Sequence, residues 1–209
     1  MYMPPAFKIN DTSTIINLIR SYSFAQLITN VNGVPFASHL PLLYEHEGKH
    51  GRLLGHLAKA NKQWIDFDGK TEALIIFNGP HAYISPSWYV SKNMVPTWNY
   101  ISVHAYGNPK ILTDPADSND VMDRLITFYE NVNNTNWSID HLSDKFKEKK
   151  FNGIVTFEIP INRLEGKFKL SQNRTIKDRL GAIKGLISTG SIEAKKLAQL
   201  MKNMLPKDD

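Results

Sequence analysis

The sequence predicts an α+β fold that is mainly β: an antiparallel barrel with helices between its strands and a C-terminal helical pair. Six or more strand-like segments follow one another, most of them joined by short turns rather than by the long crossovers that parallel strands need. Asn32-Gly33 stands between two of these segments and is a strong hairpin signal. Two amphipathic segments at helical spacing, with "STGS" between them, predict the terminal pair.

The first part of the chain reads as a helix followed by strands. Asn10 or Asp11 can cap a helix whose apolar residues follow at helical spacing; these are Ile15, Leu18, Ile19 and Tyr22. "FAQLITNVNGVPFASHLPLLYE" predicts a hairpin, and "EHEGKHG" predicts a second turn that leads into the strand "RLLGHL". "AKANKQWIDF" predicts a short helix or helical turn.

The middle of the chain predicts a buried strand, a short strand, a loop and a long strand. "TEALIIFNG" is apolar at both parities, which is typical of a central strand, and "AYIS" is a short strand after it. "SPSWYVSKNMVP" predicts a loop bounded by prolines. "VPTWNYISVHAYG" predicts a strand that runs on to Leu112.

The last part alternates again between helices and strands. Asp114-Pro115 predicts a helix start with Pro at the first helical position, and its apolar set is Val121, Leu125, Phe128 and Val132. A second helix is expected over 140–149. "IVTFEIPI" and "LEGKFKLS" predict two strands, and "IKDRLGAIKGLI" and "IEAKKLAQLMKNM" predict the two final helices, with Ser191 as the cap of the second.

Chain length and composition limit the number of domains and the cellular compartment that we expect. At 209 residues we expect a barrel domain over 1–170 and a basic helical segment over 171–209, packed on or beside the barrel. The chain has no cysteine, which excludes disulfides, thiolate catalysis and Cys-ligated zinc. The prolines in "MYMPPAFKINDTS" do not fit a signal peptide, and no apolar stretch approaches the length of a membrane span. A cytoplasmic protein is therefore expected.

The positive charge is concentrated near the C-terminus. Residues 163–207, which end at Lys207, carry eleven lysines and arginines against three acids, a net charge of +8, while the whole chain carries +5. Such a segment could contact a nucleic acid or an anionic ligand, or could be an ordinary solvated helical face. The "STGS" hairpin also resembles the outline of a helix-turn-helix, but most such hairpins do not bind DNA.

Several catalytic and metal motifs can be excluded. "DGKTEA" contains Gly-Lys-Thr, but Trp64 stands where a phosphate loop needs its first glycine. The sequence contains neither Gly-x-Gly-x-x-Gly nor Gly-x-Ser-x-Gly. His46 and His50 lie four residues apart in a glycine-rich turn, which does not favour a metal pair. We therefore assign no catalytic residue and no metal ligand.

One strand carries two distinct faces. Because side chains alternate along a strand, Asn99, Ile101, Val103 and Ala105 share a small face that suits a core. The opposite face is aromatic and hydrogen-bonding throughout and consists of Trp98, Tyr100, Ser102, His104 and Tyr106. Such a face fits a flat polar ligand such as a flavin, or a plain subunit interface, where Tyr and Trp are enriched.

The combined motifs carry a family resemblance that covers essentially the whole chain. They are "SHLPLL", "GHLAKANKQW", "GPHAYISPSWY", "VPTWNY" with "VHAYG", and "KLSQNR" followed by "DR". With these motifs the sequence resembles the PaiB family, the FMN-binding negative transcriptional regulators of protease synthesis and sporulation. The resemblance implies a split β-barrel of the FMN-binding type, a homodimer with FMN at the subunit interface, and a role as a repressor.

The resemblance also implies where FMN would contact this chain. Ala58, Lys59 and Asn61 would surround the phosphate, with Lys59 or Lys62 neutralising it. The ribityl chain or the ring edge would meet His39 and His56. Ser85, Trp88 and Tyr89 would wall the ring, or would form only a rigid surface loop. Ring contact is expected from Thr97, Trp98 and Asn99, and His104 on the aromatic face would meet the flavin, the partner chain or both. Gln172, Asn173 and Arg174 would close the cleft or only cap the last helix.

Three functions remain open from the sequence. The chain could be a flavin-binding regulator without turnover, with DNA contacted through the basic C-terminal segment. It could be an FMN-dependent oxidoreductase related to pyridoxamine-phosphate oxidases or flavin reductases, since the cofactor itself carries the hydride chemistry. It could also be a haem-handling split barrel with His104 or His39 as the iron ligand.

Overall fold

The computed structural model describes residues 1–206, and Lys207 of the basic segment lies outside them. Within this part the chain forms nine strands and five α-helices. The strands are β1 Lys8–Ile9, β2 Phe24–Val31, β3 Val34–Pro41, β4 Leu43–Glu45, β5 Arg52–Ala58, β6 Ala73–Ile84, β7 Thr97–Gly107, β8 Lys110–Ile111 and β9 Ile154–Lys169. The helices are α1 Thr12–Ser21, α2 Pro115–Val132, α3 Asp144–Phe151, α4 Ile176–Ser188 and α5 Ile192–Asn203.

The strands form one antiparallel sheet, as predicted. Its order is β3-β2-β6-β7-β9-β5-β4, and β1 and β8 also pair with β9. The path has two ends, at β3 and β4, so the sheet is not closed into a complete barrel. The predicted central position of "TEALIIFNG" is confirmed, because β6 lies between β2 and β7.

The β2–β3 hairpin forms where Asn32-Gly33 predicts it. Both turn residues have positive φ, 53° and 84°, which is the geometry of a two-residue type I′ turn. Val31 pairs with Val34 across the turn, and the Asn30 side chain accepts a hydrogen bond from the Gly33 N–H at 2.7 Å. Local turn chemistry therefore sets the register of this hairpin.

The predicted strand breaks in the middle and late parts of the chain are wrong. "TEALIIFNG" and "AYIS" form the single strand β6, and "IVTFEIPI" and "LEGKFKLS" form the single strand β9. Pro160 is tolerated inside β9 because it pairs with Arg52 at the end of the β5 ladder, where a missing N–H costs little. The long strand β7 ends at Gly107 rather than at Leu112, and Pro109 separates it from β8.

The helix starts follow their caps. Asp114 accepts a hydrogen bond from the Ala116 N–H at 2.8 Å and caps α2, and Ser191 caps α5, both as predicted. The helix expected over 140–149 is shorter and later: a 3₁₀ turn covers Ile139–His141, and α3 follows. Other 3₁₀ turns cover Pro5–Phe7, Lys62–Asp66 and Pro86–Trp88.

The chain forms two compact units. The first unit contains Met1–Leu18, Asn78–Val103 and the described residues from Glu165 onward; the second unit contains Ile19–Phe77 and His104–Leu164. In the first unit the buried faces of α4 and α5 contribute Leu186, Leu197 and Met201 to the core. In the second unit α2 packs Val121, Met122 and Leu125 against Leu54 of β5. The division into domains 1–170 and 171–209 stays a prediction.

Helix length and hydropathy bear on the membrane question. Among residues 1–206, none of the helices is both long enough and apolar enough to span a bilayer.

Candidate functional site

Burial along β7 follows the predicted alternation. Ile101, Val103 and Ala105 are buried, whereas Trp98 is 54% exposed and Tyr100 is half-buried. Ser102 is the exception on the aromatic side, because it is buried and its hydroxyl donates to Asn78 Oδ1 at 3.0 Å. Exposure on this side of the strand therefore falls from Trp98 through Tyr100 to Ser102.

An aromatic cluster occupies this side of the sheet in the first unit. The Trp98 ring lies 6.0 Å from the Tyr83 ring in an edge-on arrangement and 6.2 Å from the imidazole of His81. A cavity of about 310 Å³ opens beside them. It is lined by Asn78, Gly79, His81, Trp98, Tyr100 and Ile101. We call this cavity with its rings the aromatic recess.

Lys169 stands next to the aromatic recess. Its ammonium donates to the Thr97 hydroxyl and, at 2.7 Å, to the carbonyl of Trp98. Burial lowers the pKa of Lys169, and repulsion from the charges of Lys167 and Arg174 lowers it further. The charges that affect the pKa of Lys169 are therefore those of two other cations and not that of a carboxylate.

Lys167 has the same parity as Lys169 on β9 and is only 6% exposed. Its ammonium donates to the carbonyl of Tyr2 at 3.0 Å and lies 5.3 Å from the ring centre of Tyr100. Arg174 is half-buried, with its guanidinium 5.9 Å from the Tyr89 ring centre. These contacts are to neutral groups, so the positive charge of the cluster is not cancelled.

Asn99, one of the predicted ring contacts, does not lie on the same face of β7 as Trp98. It is fully buried, and its amide donates to the Ser171 hydroxyl at 2.9 Å and to Met201 Sδ at 3.5 Å. The expected group of Thr97, Trp98 and Asn99 is therefore divided: Trp98 lies on the exposed face and Asn99 lies in the core.

The loop predicted to wall the ring is docked on α4. The Trp88 indole lies so close to α4 that a Cβ added to Gly185 would be 2.1 Å from it, and one added to Gly181 would be 2.0 Å from the Trp88 carbonyl. Tyr89 is buried, and Ser85 caps the 3₁₀ turn by accepting from the Ser87 N–H. We call the Gly181–Gly185 surface the glycine groove.

Asp178 fastens the same loop. Its carboxylate accepts hydrogen bonds from the N–H groups of Val90 and Ser91, both at 2.9 Å, and from the hydroxyls of Ser91 and Thr175. The Ser91 N–H and hydroxyl are the main cause that lowers the Asp178 pKa to about 2. Trp88 and Tyr89 thus belong to the packing between this loop and α4.

The residues expected to close the cleft form a turn. Gln172 accepts from the Leu170 N–H at 2.7 Å and donates to the Phe168 carbonyl, while Ser171 adopts a left-handed φ of 63°. Asn173 is exposed. The Gln172 amide therefore stabilises this turn. Of the three residues, Arg174 is the one that lies with Lys167 and Lys169, and we call these three residues the cation cluster.

In the second unit, Asn61 and its neighbours make a hydrogen-bonded turn. The Asn61 side chain accepts from the Gln63 N–H at 3.1 Å and donates to the Ser38 hydroxyl at 2.8 Å. Ala58 and Lys59 are exposed at the end of β5, and the Lys59 N–H donates to the Gly153 carbonyl at 2.8 Å. Asn61 has a structural role here, while the Lys59 ammonium faces solvent.

The histidines of the second unit differ in environment. His39 is exposed and stacks on Phe24, with 6.5 Å between ring centres. His56 is half-buried, its Nδ1 has no hydrogen-bond partner among the described residues, and burial lowers its pKa, which favours the neutral imidazole. The half-buried ring of His104 lies 6.3 Å from the ring of Tyr106.

Sequence reasoning missed two features of the site. Lys167 and Lys169 alternate with Phe168 in "GKFKLS", and this period-two pattern could have placed them on one face of a strand. His81 was part of a recognised motif but received no role. Among the described residues neither lysine forms an ion pair, because Glu165 pairs with the Met1 N-terminus and Asp178 accepts from Val90 and Ser91; these pairings depend on three-dimensional packing and have no sequence signal.

Comparison with known proteins identifies the family. The family model described as "Putative FMN-binding domain" matches residues 1–163. The "Protease synthase and sporulation protein PAI 2" of Bacillus subtilis (strain 168) is 37% identical over 207 residues, which covers 99% of this chain and 99% of that protein.

Solved structures support the fold. The FAD and heme binding protein from Mycobacterium smegmatis matches with a TM-score of 0.60 and 10% identity over 84% of this chain and 79% of that chain. The flavocytochrome Anf3 from Azotobacter vinelandii matches with a TM-score of 0.56 and 14% identity, over 81% of this chain and 70% of that chain. The architecture is thus the split barrel, and the chain belongs to the PaiB family, the family of its Bacillus subtilis relative.

Proposed function

We propose that this protein is an FMN-binding regulator that holds the flavin ring on the aromatic recess. The observation that carries the proposal is the exposed Trp98, with His81 and Tyr83 around it, at the mouth of a 310 Å³ cavity. The family match to an FMN-binding domain supports the choice of ligand.

The chemistry of the aromatic recess suits a flavin. The isoalloxazine ring is flat and needs aromatic or apolar walls, which Trp98 and Tyr100 supply. Its polar edge needs hydrogen-bonding groups, which Asn78 and His81 supply. The cation cluster next to Thr97 and Trp98 suits the negative charge that FMN carries.

The functional unit is a homodimer. A cavity of 310 Å³ lies at the lower end of the range for ligand pockets, so one chain supplies only part of the enclosure that a flavin needs. The adjoining surface exposes Tyr83, Val95 and Trp98, an apolar group that a second copy would cover. Sedimentation at micromolar concentration should give the dimer mass, and a monomer with or without FMN would contradict the interface.

Flavin binding can be tested by fluorescence quenching titrations with FMN, FAD and riboflavin. FMN should bind best, and Trp98→Ala should weaken it by about 1–2 kcal/mol because a stacking partner is lost. Trp137→Ala is a matched control, since Trp137 is exposed to a similar degree in the second unit. Equal losses in the two variants would contradict the ring position.

The absorption spectrum of the freshly purified protein separates the alternatives. Flavin bands support the proposal, and a Soret band would point to haem on His104 or His39. Steady oxidation of NADH or NADPH by the FMN-loaded protein would point to an oxidoreductase rather than a regulator.

We further propose a role in protease synthesis and sporulation, in line with the name of the Bacillus subtilis relative, and direct DNA contact through the basic C-terminal segment as its means. Lys177, Lys184, Lys195 and Lys202 are exposed on α4 and α5, and Lys196 is exposed with Glu193 as its ion-pair partner. Arg179 is buried and donates to the Met204 carbonyl, so part of the basic segment does not face outward. The remaining exposed lysines could contact DNA phosphates.

A gel-shift series over salt concentration tests the DNA contact. Binding should weaken steeply with salt, and replacing Lys195 and Lys196 with Glu should weaken it for all sequences alike. The absence of any retardation at low salt with excess protein, with and without FMN, would mean that regulation acts through another protein.

A further inference from the structure

The first unit contains three cations that no acid neutralises. Among the described residues, Lys167, Lys169 and Arg174 form no ion pair with a carboxylate, and their contacts are carbonyls, a hydroxyl, a thioether and aromatic rings. Lys167 is nevertheless almost completely buried. Buried charges are normally paired, because desolvation is costly without a counter-charge. This cluster therefore lacks its counter-charge in the free chain.

The hydrogen bonds of Lys169 indicate where an anion would bind to the cluster. Lys169 uses two of its three ammonium hydrogens on the Thr97 hydroxyl and the Trp98 carbonyl, which leaves one donor free. Its ammonium is therefore held against the backbone of the residue whose ring borders the aromatic recess. An anion at this donor would lie beside a ligand stacked on Trp98.

We propose that Lys169 binds the phosphate of the ligand that occupies the aromatic recess, with Lys167 and Arg174 supplying positive potential. A phosphate monoester carries nearly two negative charges, which matches a group of three uncompensated cations better than a single carboxylate does. The assignment rests on the proposed flavin site and competes with Lys59 and Lys62 as the phosphate contacts. All three cations lie beyond residues 1–163, the part that the family model matches.

The test compares FMN with riboflavin, which lacks the phosphate. Lys169→Gln should weaken FMN binding at least tenfold and leave riboflavin binding unchanged, because a charge-assisted contact is lost. Lys169→Arg should keep most of the preference for FMN. Lys184→Gln, at an exposed lysine of α4, is the matched control and should behave like the wild type. Lys59→Gln and Lys62→Gln test the competing assignment, and both should keep the preference for FMN if Lys169 holds the phosphate. Circular dichroism checks that each variant folds.

A second experiment uses inorganic phosphate as the probe and does not depend on flavin binding. At matched ionic strength, phosphate should raise the melting temperature of the wild type relative to chloride, and Lys169→Gln should lose this shift. If no flavin binds but this shift is present and lost in the variant, the anion site stands and the flavin proposal fails. If the preference for FMN persists in Lys169→Gln and is lost in Lys59→Gln or Lys62→Gln, the assignment to Lys169 is wrong. It is also wrong if Lys169→Gln leaves both the FMN preference and the phosphate shift unchanged.

Discussion

Two charge clusters, one in each compact unit, differ in whether carboxylates compensate their cations. In the second unit, Arg52 of β5 pairs with Glu45 at 3.0 Å and with Glu158 at 2.9 Å, and Lys110 pairs with Glu158 at 2.6 Å. The Glu158 side chain is 8% exposed and receives both cations. Here the charges satisfy one another, and the network requires no further partner.

In the first unit, Lys167, Lys169 and Arg174 have no such acids among the residues that the structure describes. The nearby buried carboxylate, Asp178, is already occupied by the N–H groups of Val90 and Ser91. We interpret the paired charges of the second unit as stabilising the fold, whereas on the proposed phosphate site the unpaired cations beside the aromatic recess are available to an anion. Four experiments test this contrast between the two clusters.

The largest effect is expected in the charge network. Glu158→Gln should lower the free energy of unfolding by about 2–3 kcal/mol, because Arg52 and Lys110 lose their shared carboxylate. Urea denaturation measures the change. Glu47→Gln is the matched control, since Glu47 also pairs with Arg52 but is 61% exposed, and it should cost less than about 0.5 kcal/mol. Equal small losses would mean that the network does not stabilise the second unit.

The next effect concerns apolar packing in the first unit. Gly185→Ala should cost about 1–3 kcal/mol, because its Cβ would overlap the Trp88 indole in the glycine groove. Lys184→Ala, on the exposed side of the same helix, should change stability by less than about 0.5 kcal/mol. If Gly185→Ala is as harmless as Lys184→Ala, the first unit does not depend on this contact.

A third effect appears only at low pH. The folded-state pKa of Asp178, about 2, lies below its ordinary value of 3.8, so its stabilisation is present above about pH 4 and is lost as the pH falls toward 2. Asp178→Asn should flatten this part of the stability profile measured by pH-dependent unfolding. Asp11, whose pKa is also about 2, keeps its own contribution in both proteins. Parallel curves for wild type and variant would contradict the role of Asp178.

The smallest effect is expected from Lys169→Gln in the absence of ligand. Removing this charge relieves repulsion from Lys167 and Arg174 but also weakens contacts to Thr97 and Trp98. The net change in the free energy of unfolding should stay within about 0.5 kcal/mol. A loss as large as that of Glu158→Gln would show that Lys169 is structural and would remove the contrast between the units.

Local chemistry explains which elements could be predicted. The Asn32-Gly33 turn and the caps Asp114 and Ser191 act within a few residues of themselves, so the sequence alone was sufficient. The continuity of β6 and β9 could not be predicted. Gly79-Pro80 and Pro160 look like breaks, and they are tolerated only because of how neighbouring strands are arranged.

As with the fold, only part of the candidate site could be predicted from the sequence. Alternation along β7 correctly separated exposed Trp98 from buried Ile101. It also places Asn99 with the core, although the family motif had indicated ring contact for it. Trp88 was expected near the ring, but Gly181 and Gly185, four residues apart on α4, form a groove for it. That spacing is visible in the sequence, and only the structure shows which side chain fills the groove.

The glycine groove has a practical consequence for where the chain can be cut. A truncated protein ending at residue 163 would stop inside β9 and lose α4, and one ending at 170 would keep the strand but still lose α4. In either case the Trp88 indole would lose the glycine groove against which it packs. The N–H groups of Val90 and Ser91 would lose the Asp178 carboxylate as their hydrogen-bond acceptor. The end of the region that the family model matches is therefore not a safe boundary for expression, because α4 carries both the groove for Trp88 and the carboxylate that holds the loop.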